Sequence, residues 1–347
     1  MTKKIIILIC IALTSVTLKA QQDGQFTLFP WASLYYNPGA AGEQNNTLCF
    51  TGIFANQNIA FKDDMPTDTE IGDVQNADPS VVDMKDFLVN IEFYSRKIRG
   101  AIGISLLSDK IGYYNQIGVR LGYTYRMKLG DGSFGAGFQA NIFNQTLRKD
   151  IVWRPGEEGD PIVEALKQGP SYLNLDFSLG VHYKAETWDV GASVVNILGN
   201  EVTVIKSNAI NVARHLYVHG GYIWILPWNP SWTIEPKALV KTDFSAFQMD
   251  ILLLTRYNGV IWGGLSYKID DAVSVLFGAR PFFNSSNNYL KGLDIGVAYG
   301  IDTKKIGYKT GGSFGHVEVM IRYCFDIYKT ETFFGYGSSR SIYKNQY

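Results

Sequence analysis

The chain has 347 residues, with 32 Lys+Arg against 32 Asp+Glu, so no basic field draws nucleic acid and no nucleic-acid partner is expected. Charged residues are only 18% and aromatics 14%, 21 of them Tyr, beside 35 Gly. A soluble domain usually carries about 25% charge, whereas Tyr and Trp collect where one end of a side chain is apolar and the other wet. The composition suits a large sheet embedded in lipid.

Residues 1–20 read as a signal peptide. Lys3 and Lys4 lead into the apolar run Ile5 to Val16, shorter than the ~20 residues a membrane helix needs. Leu18-Lys19-Ala20 then ends on the small residue a signal peptidase requires. Cys10 lies inside the run behind the bulky Ile9, so a lipid anchor there is rejected. Beyond the signal no apolar stretch approaches the length of a membrane helix; the best, Met249 to Leu254, carries Asp250. Residues 21–46 precede the first strand and are rich in aromatics. They hold the candidate partner-binding residues Gln25, Phe26, Trp31, Tyr36, Asn37 and Pro38. Two readings stay open: a plug folded into the body that follows, or a docking segment for a periplasmic partner.

From residue 47 the chain alternates with period two, the signature of strands whose side chains point to opposite faces. In 116–128, Ile117, Val119, Leu121, Tyr123, Tyr125 and Met127 oppose Gln116, Gly118, Arg120, Gly122, Thr124, Arg126 and Lys128. In 172–184, Leu173, Leu175, Phe177, Leu179, Val181 and Tyr183 oppose Asn174, Asp176, Ser178, Gly180, His182 and Lys184. Near the end, Val317, Val319, Ile321, Tyr323 and Phe325 oppose His316, Glu318, Met320, Arg322 and Cys324. Weaker runs lie near 47–57, 86–97, 100–108, 133–146, 187–198, 214–226, 231–242, 246–257, 259–269, 272–282 and 290–301. The sum is about fourteen strands of membrane-crossing length, an even number, as bacterial outer-membrane barrels have. The expected fold is all-β, a transmembrane antiparallel barrel over 47–328 with a tail at 329–347. A soluble β-sandwich would alternate similarly, but with shorter strands and fewer aromatics.

Size and charge assign the faces. Arg120, Arg126, Asp176, His182, Glu235, Lys237, Asp250, Arg256, Glu318 and Arg322 all oppose the bulky apolar side. An Arg or Lys facing lipid at mid-membrane costs ~2–4 kcal/mol, so these residues must face the lumen. The links sort by parity, with long ones near 58–85, 147–171, 199–213 and 302–313. Tight ones lie at Arg96 to Arg99, Gly130-Asp131-Gly132, Ala185-Glu186-Thr187 and Asn258-Gly259. Barrels keep short turns in the periplasm, which puts both termini there. Trp224, Trp228 and Trp232, with Tyr257 and Trp262, flank the short turns as an interfacial belt.

Few residues offer chemistry. Asp63, Asp64, Asp68, Glu70, Asp73, Asp78, Asp83 and Asp86 crowd the 62–86 link, but their spacing matches no calcium loop; a solvated acidic loop able to meet cargo is the reading. Gly132-Ser133-Phe134-Gly135-Ala136-Gly137 opens a strand rather than a helix, so it is no phosphate loop. His182, His215, His219 and His316 stand in no metal or nucleophile motif, and His215 and His316 read as lumenal hydrogen-bonding residues. No enzyme, metal or cofactor is expected. Cys49 and Cys324, both in strands, can pair, but isolated buried thiols are the expectation.

The run Gln25-Phe26-Thr27-Leu28-Phe29-Pro30-Trp31 through Tyr35-Tyr36-Asn37-Pro38-Gly39-Ala40-Ala41-Gly42 resembles the N-terminal motif of the PorP/SprF family of type IX secretion system membrane proteins. Further likenesses are Ser108-Asp109-Lys110-Ile111-Gly112, Leu121-Gly122-Tyr123-Thr124-Tyr125-Arg126, Arg214-His215-Leu216-Tyr217 with Gly221-Tyr222, and Gly312-Ser313 with His316 to Tyr323. They run in family order over roughly residues 21–326. Gly24 stands where the family often has Pro, and Gly39 where Ala is usual. The resemblance implies a component of the type IX machinery in the outer membrane. It would support secretion or surface retention of cargo, adhesins with a C-terminal sorting domain, and some members associate with periplasmic ring subunits. Asn37-Pro38 before the strands also resembles the hatch of fatty-acid-transporter barrels, so passive transport is the rival function; a transporter would need an apolar lumenal pocket or lateral opening, against which the charged lumenal set argues. A structural anchor for a surface protein is a third.

Overall fold

The structure is a computed structural model and describes residues 24–42, 47–57, 59, 84–111, 114–147, 171–199, 201–205, 208–284, 291–303 and 315–326. The signal peptide and the tail lie outside these, as does the acidic loop apart from Asp86 and its strand neighbours.

The alternating runs form β1 (Thr47–Gln57), β2 (Met84–Ser95), β3 (Gly100–Ile111), β4 (Tyr114–Leu129), β5 (Gly132–Leu147), β6 (Ser171–Lys184) and β7 (Trp188–Val195). A small hairpin of β8 (Glu201–Ile205) and β9 (Asn208–Asn211) follows within a long link. The wall resumes with β10 (His215–Tyr222), β11 (Trp224–Ile225), β12 (Trp232–Thr242), β13 (Phe247–Tyr257), β14 (Ile261–Lys268), β15 (Ala272–Ala279), β16 (Leu293–Asp302) and β17 (His316–Asp326). Sequential neighbours pair antiparallel, β10 and β11 share one position between β7 and β12, and β17 returns to β1. The result is a closed barrel of 14 strands. Closure pairs the first strand with the last, as lipid requires of a sheet that spans it.

The two faces separate as alternation requires. Ile117 is 62% exposed and Leu173 77%, whereas Asp176 is fully buried and Glu318 1% exposed. Arg120, Arg126, His182, Glu235, Asp250 and Arg256 are likewise buried on the inner side. The lumen is less polar than the charged set alone implies. Ile53, Leu88, Leu107, Leu239, Leu252, Leu254, Leu276 and Met320 also point inward and are buried. Asp86, counted with the acidic loop, belongs instead to β2; it is buried and accepts a bond from Gln57 Nε2 at 2.7 Å.

The links from even to odd wall positions are mostly tight turns. At Asn258-Gly259 both residues take positive φ, 49° and 66°, as a type I′ turn requires and Asn-Gly supplies at little steric cost. Val260 N–H closes that turn onto Tyr257 O at 3.0 Å. The aromatics at this end form the outer belt with one exception. Trp224 meets Trp228 edge-on, Trp232 leans on Tyr257, and Trp188 on Tyr183. Trp262, expected in the belt, falls instead on the inward parity of its strand and is buried in the lumen. Two belt tyrosines turn their hydroxyls to the turns, Tyr123 to Ile98 O at 2.7 Å and Tyr183 to Leu129 O at 3.1 Å.

The cysteines depart from expectation. Cys49 and Cys324 face each other across the β1–β17 register and form a disulfide, with Cα atoms 4.1 Å apart. Barrel closure makes the first and last strands neighbours, and the register sets the two residues opposite each other. The bridge therefore staples the closing seam, on the lumenal side and near the short-turn end.

Candidate functional site

Residues 24–42 occupy the lumen. They have no strand period of their own. Their only regular pieces are one α-helical turn at Ser33–Tyr36 and 3-10 turns at Phe29–Trp31 and Pro38–Ala40. A segment with so few internal hydrogen bonds must find external partners for its buried amides and carbonyls. The charged lumenal side chains supply them. The Glu318 carboxylate accepts from Thr27 N at 2.5 Å and Leu28 N at 2.9 Å, and Glu92 from Gly42 N at 3.0 Å. Arg120 donates to Tyr35 O at 2.7 Å and lies 4.0 Å over the Tyr35 ring. Arg126 donates to Ala41 O at 2.6 Å, Ala40 O at 2.9 Å and Gly39 O at 3.3 Å. Thr124 donates to Pro38 O at 2.5 Å and Ser193 to Tyr36 O at 2.6 Å.

Apolar packing completes the seat. Phe26, Leu28, Trp31, Tyr35 and Tyr36 join the inward leucines, Tyr217 and Trp262 in one buried cluster. Trp31 stacks on Trp262 with ring centroids 4.6 Å apart. Both indoles donate to Asp294, at 3.3 Å and 2.8 Å, and Arg280 holds that carboxylate from a third side at 3.1 Å. Gln25 meets Gln248 at 2.6 Å, at the end of β13 nearer the long links. The segment thus runs from that half of the lumen down toward Gly42 and the short-turn end. Of the candidate residues, Phe26, Trp31, Tyr36 and Asn37 are buried, with Pro38 packed among wall glycines. They meet the wall of their own barrel.

The Asn37-Pro38-Gly39 corner presses closest. Its Asn37 Oδ1 accepts from Gly39 N at 2.8 Å, and Asn37 Nδ2 donates to Val181 O at 2.9 Å. Gly137 and Gly180, paired across β5 and β6, lie beneath the corner; a Cβ on Gly137 would strike Pro38. Gly39 is equally constrained, since its Cβ would come 2.8 Å from Gly180 O and 2.9 Å from Val181 C. No side chain fits between corner and wall at this position. Gly39→Ala is therefore expected to destabilise the folded protein by about 1–3 kcal/mol, the cost of overpacking, read as a lower urea midpoint in detergent. An unchanged midpoint would show that the corner has room to spare.

The sequence singled out Arg120, Arg126 and Glu318 as lumenal but not as the seat, and did not single out Thr124, Ser193, Glu92 or Asp294. The available signal was an aromatic segment with no strand period of its own, ahead of strands that carry Arg and Glu on their lumenal face. Of the two histidines read as hydrogen-bonding, His316 Nε2 lies 3.1 Å from Thr27 Oγ1 and 3.2 Å from Ser274 Oγ. His215 is buried against Tyr217.

A closed antiparallel barrel with an apolar outer face, an aromatic belt and buried lumenal charges defines an outer-membrane β-barrel protein. The match of residues 18–323 to the type IX secretion system membrane protein PorP/SprF goes further: the chain belongs to that family. Among solved structures the chain is similar in fold to a TodX deltaS2S3 mutant monoaromatic hydrocarbon channel. The TM-score is 0.50 at 10% identity, covering 85% of this chain and 94% of that one. The P. putida toluene transporter TodX gives 0.49 at 10% identity, with 86% and 94% covered. Acinetobacter baumannii Omp33 gives 0.41 at 7%, with 82% and 100% covered. No curated protein matches the sequence significantly.

Proposed function

We propose that this outer-membrane component of the type IX secretion system supports secretion or surface attachment of specific cargo and has no enzymatic chemistry of its own. The cargo class is adhesin-like proteins with a C-terminal sorting domain, gliding-related ones among them. The observation that carries the reading is the family match over 18–323, on a barrel whose lumen is occupied by its own N-terminal segment. A lumen so filled favours a docking component over a free passage for solutes. The short-turn end faces the periplasm in this reading. β17 ends at Asp326 on that side, the side that periplasmic ring subunits would meet. Gln25 to Pro38 serve partners there indirectly, by setting the form of the lumen.

The test is a mild-detergent pull-down of the tagged protein from its own outer membrane, read by mass spectrometry, beside a deletion strain. Recovery of a large secreted adhesin or ring subunits is expected, with one or a few surface proteins lost on deletion and general secretion intact. A bare monomer carrying only small apolar ligand would sink the reading in favour of passive transport. Loss of all type IX cargo would make the protein a core component rather than a cargo-specific one.

A further inference from the structure

One lumenal cluster plays no part in the packing of the plug's aromatics. His182 on β6 and His219 on β10 both lie opposite Gly191 of β7 in register. Because Gly191 has no side chain, the two rings close over it and stack, with centroids 5.3 Å apart and planes 19° apart. A Cβ there would run into His219. Asp189, two residues earlier and on the same face of β7, aims Oδ2 at both rings: 3.6 Å from His182 Nε2 and 3.9 Å from His219 Nδ1.

We propose that His182, Asp189 and His219 form a binding site for a divalent transition-metal ion of the Zn2+ class. One ligand atom from each lies within 4.8 Å of the other two. The Asp189 separations are longer than hydrogen bonds, yet close to the edge of a tetrahedral ion site, roughly 3.3 Å when metal–nitrogen distances are about 2.0–2.1 Å. Two imidazoles and a carboxylate are a donor set that zinc accepts, with water completing the shell. Lys237 Nζ approaches the other carboxylate oxygen, Oδ1, at 4.0 Å, leaving Oδ2 to the ion. Asp189 is 21% exposed, so the site opens to water.

The site is linked to the plug through one proton. Asn37 has both amide hydrogens committed, to Val181 O at 2.9 Å and to His219 Nε2 at 3.0 Å, while its Oδ1 accepts from Gly39 N. These backbone partners fix the amide orientation, so His219 Nε2 is an acceptor and its proton sits on Nδ1. An ion binding Nδ1 displaces that proton, and neutral imidazole then carries its hydrogen on Nε2, facing the Asn37 amide donor to donor. Metal and the Asn37 latch therefore compete for one tautomer of His219.

The experiment is a Zn2+ titration of the full-length barrel in detergent, purified on a tag free of histidine and followed by calorimetry. Folded state is verified by heat-modifiable migration on gels. One ion per barrel is expected, with affinity reduced at least tenfold in Asp189→Asn. In Asn37→Asp a carboxylate replaces the donor facing Nε2 and accepts its hydrogen, so affinity should rise about tenfold, the scale of outer-shell effects. Binding that does not saturate at one equivalent, or that survives Asp189→Asn unchanged in a folded barrel, would overturn the site. Unchanged affinity in Asn37→Asp would overturn the link to the plug.

Discussion

Replacing Cys49 and Cys324 together by Ser is expected to lower the stability of the barrel by about 5 kcal/mol, the chain-entropy value for a very long disulfide loop. The bridge spans 275 residues of sequence, so the denatured chain it constrains is nearly the whole wall. It also joins the strand pair most distant in sequence, β1 with β17, at the seam where the wall closes. In urea, the double variant should unfold at a clearly lower midpoint than the oxidised wild type. On a denaturing gel the oxidised wild type should run faster than its reduced form, because a closed loop is the more compact coil. Coincident mobilities would mean that the two thiols are unpaired in the cell, as the sequence alone led us to expect.

Arg126→Ala is the second substitution with a large expected effect. One guanidinium serves Gly39, Ala40 and Ala41 carbonyls, all buried. A buried acceptor left without its donor costs about 1–3 kcal/mol, and here three lose theirs at once. Loss of about 3–5 kcal/mol is expected, concentrated in the plug rather than the wall. The measurable consequence is selective protease cleavage within residues 21–46 while the barrel keeps its heat-modifiable migration. Arg126→Lys should fall between the two, since a single ammonium cannot span three carbonyls as the planar fork does. If the N-terminal segment of Arg126→Ala stays as resistant as in wild type, Thr124, Ser193 and Glu318 hold it without the arginine.

The wall was legible in the sequence because its physics is local. A side chain's face depends only on parity, so Arg120 and Ile117 could be assigned from their own strand. What lay beyond reach depended on pairing between strands distant in sequence. His182, Asp189 and His219 have no motif spacing; only the offsets of β6 and β10 against β7, together with Gly191, bring them together. The residues of 24–42 offered no period to read, so their burial in the lumen could not be told from their own sequence. The Cys49–Cys324 pair was the avoidable miss. Both positions face inward, the third residue of β1 and the third from the end of β17. Any closed barrel must set its first and last strands side by side, and that constraint brings the two sulfurs together.

The stapled seam changes what kind of object the wall is. With Cys49 bonded to Cys324, the chain between them is a covalent ring, and residues 24–42 lie inside it in the manner of a lasso. The plug cannot slip sideways through a parted seam between β1 and β17 while that bond holds. It can leave only along the barrel axis, so any partner that draws it out has to pull from one of the two open ends.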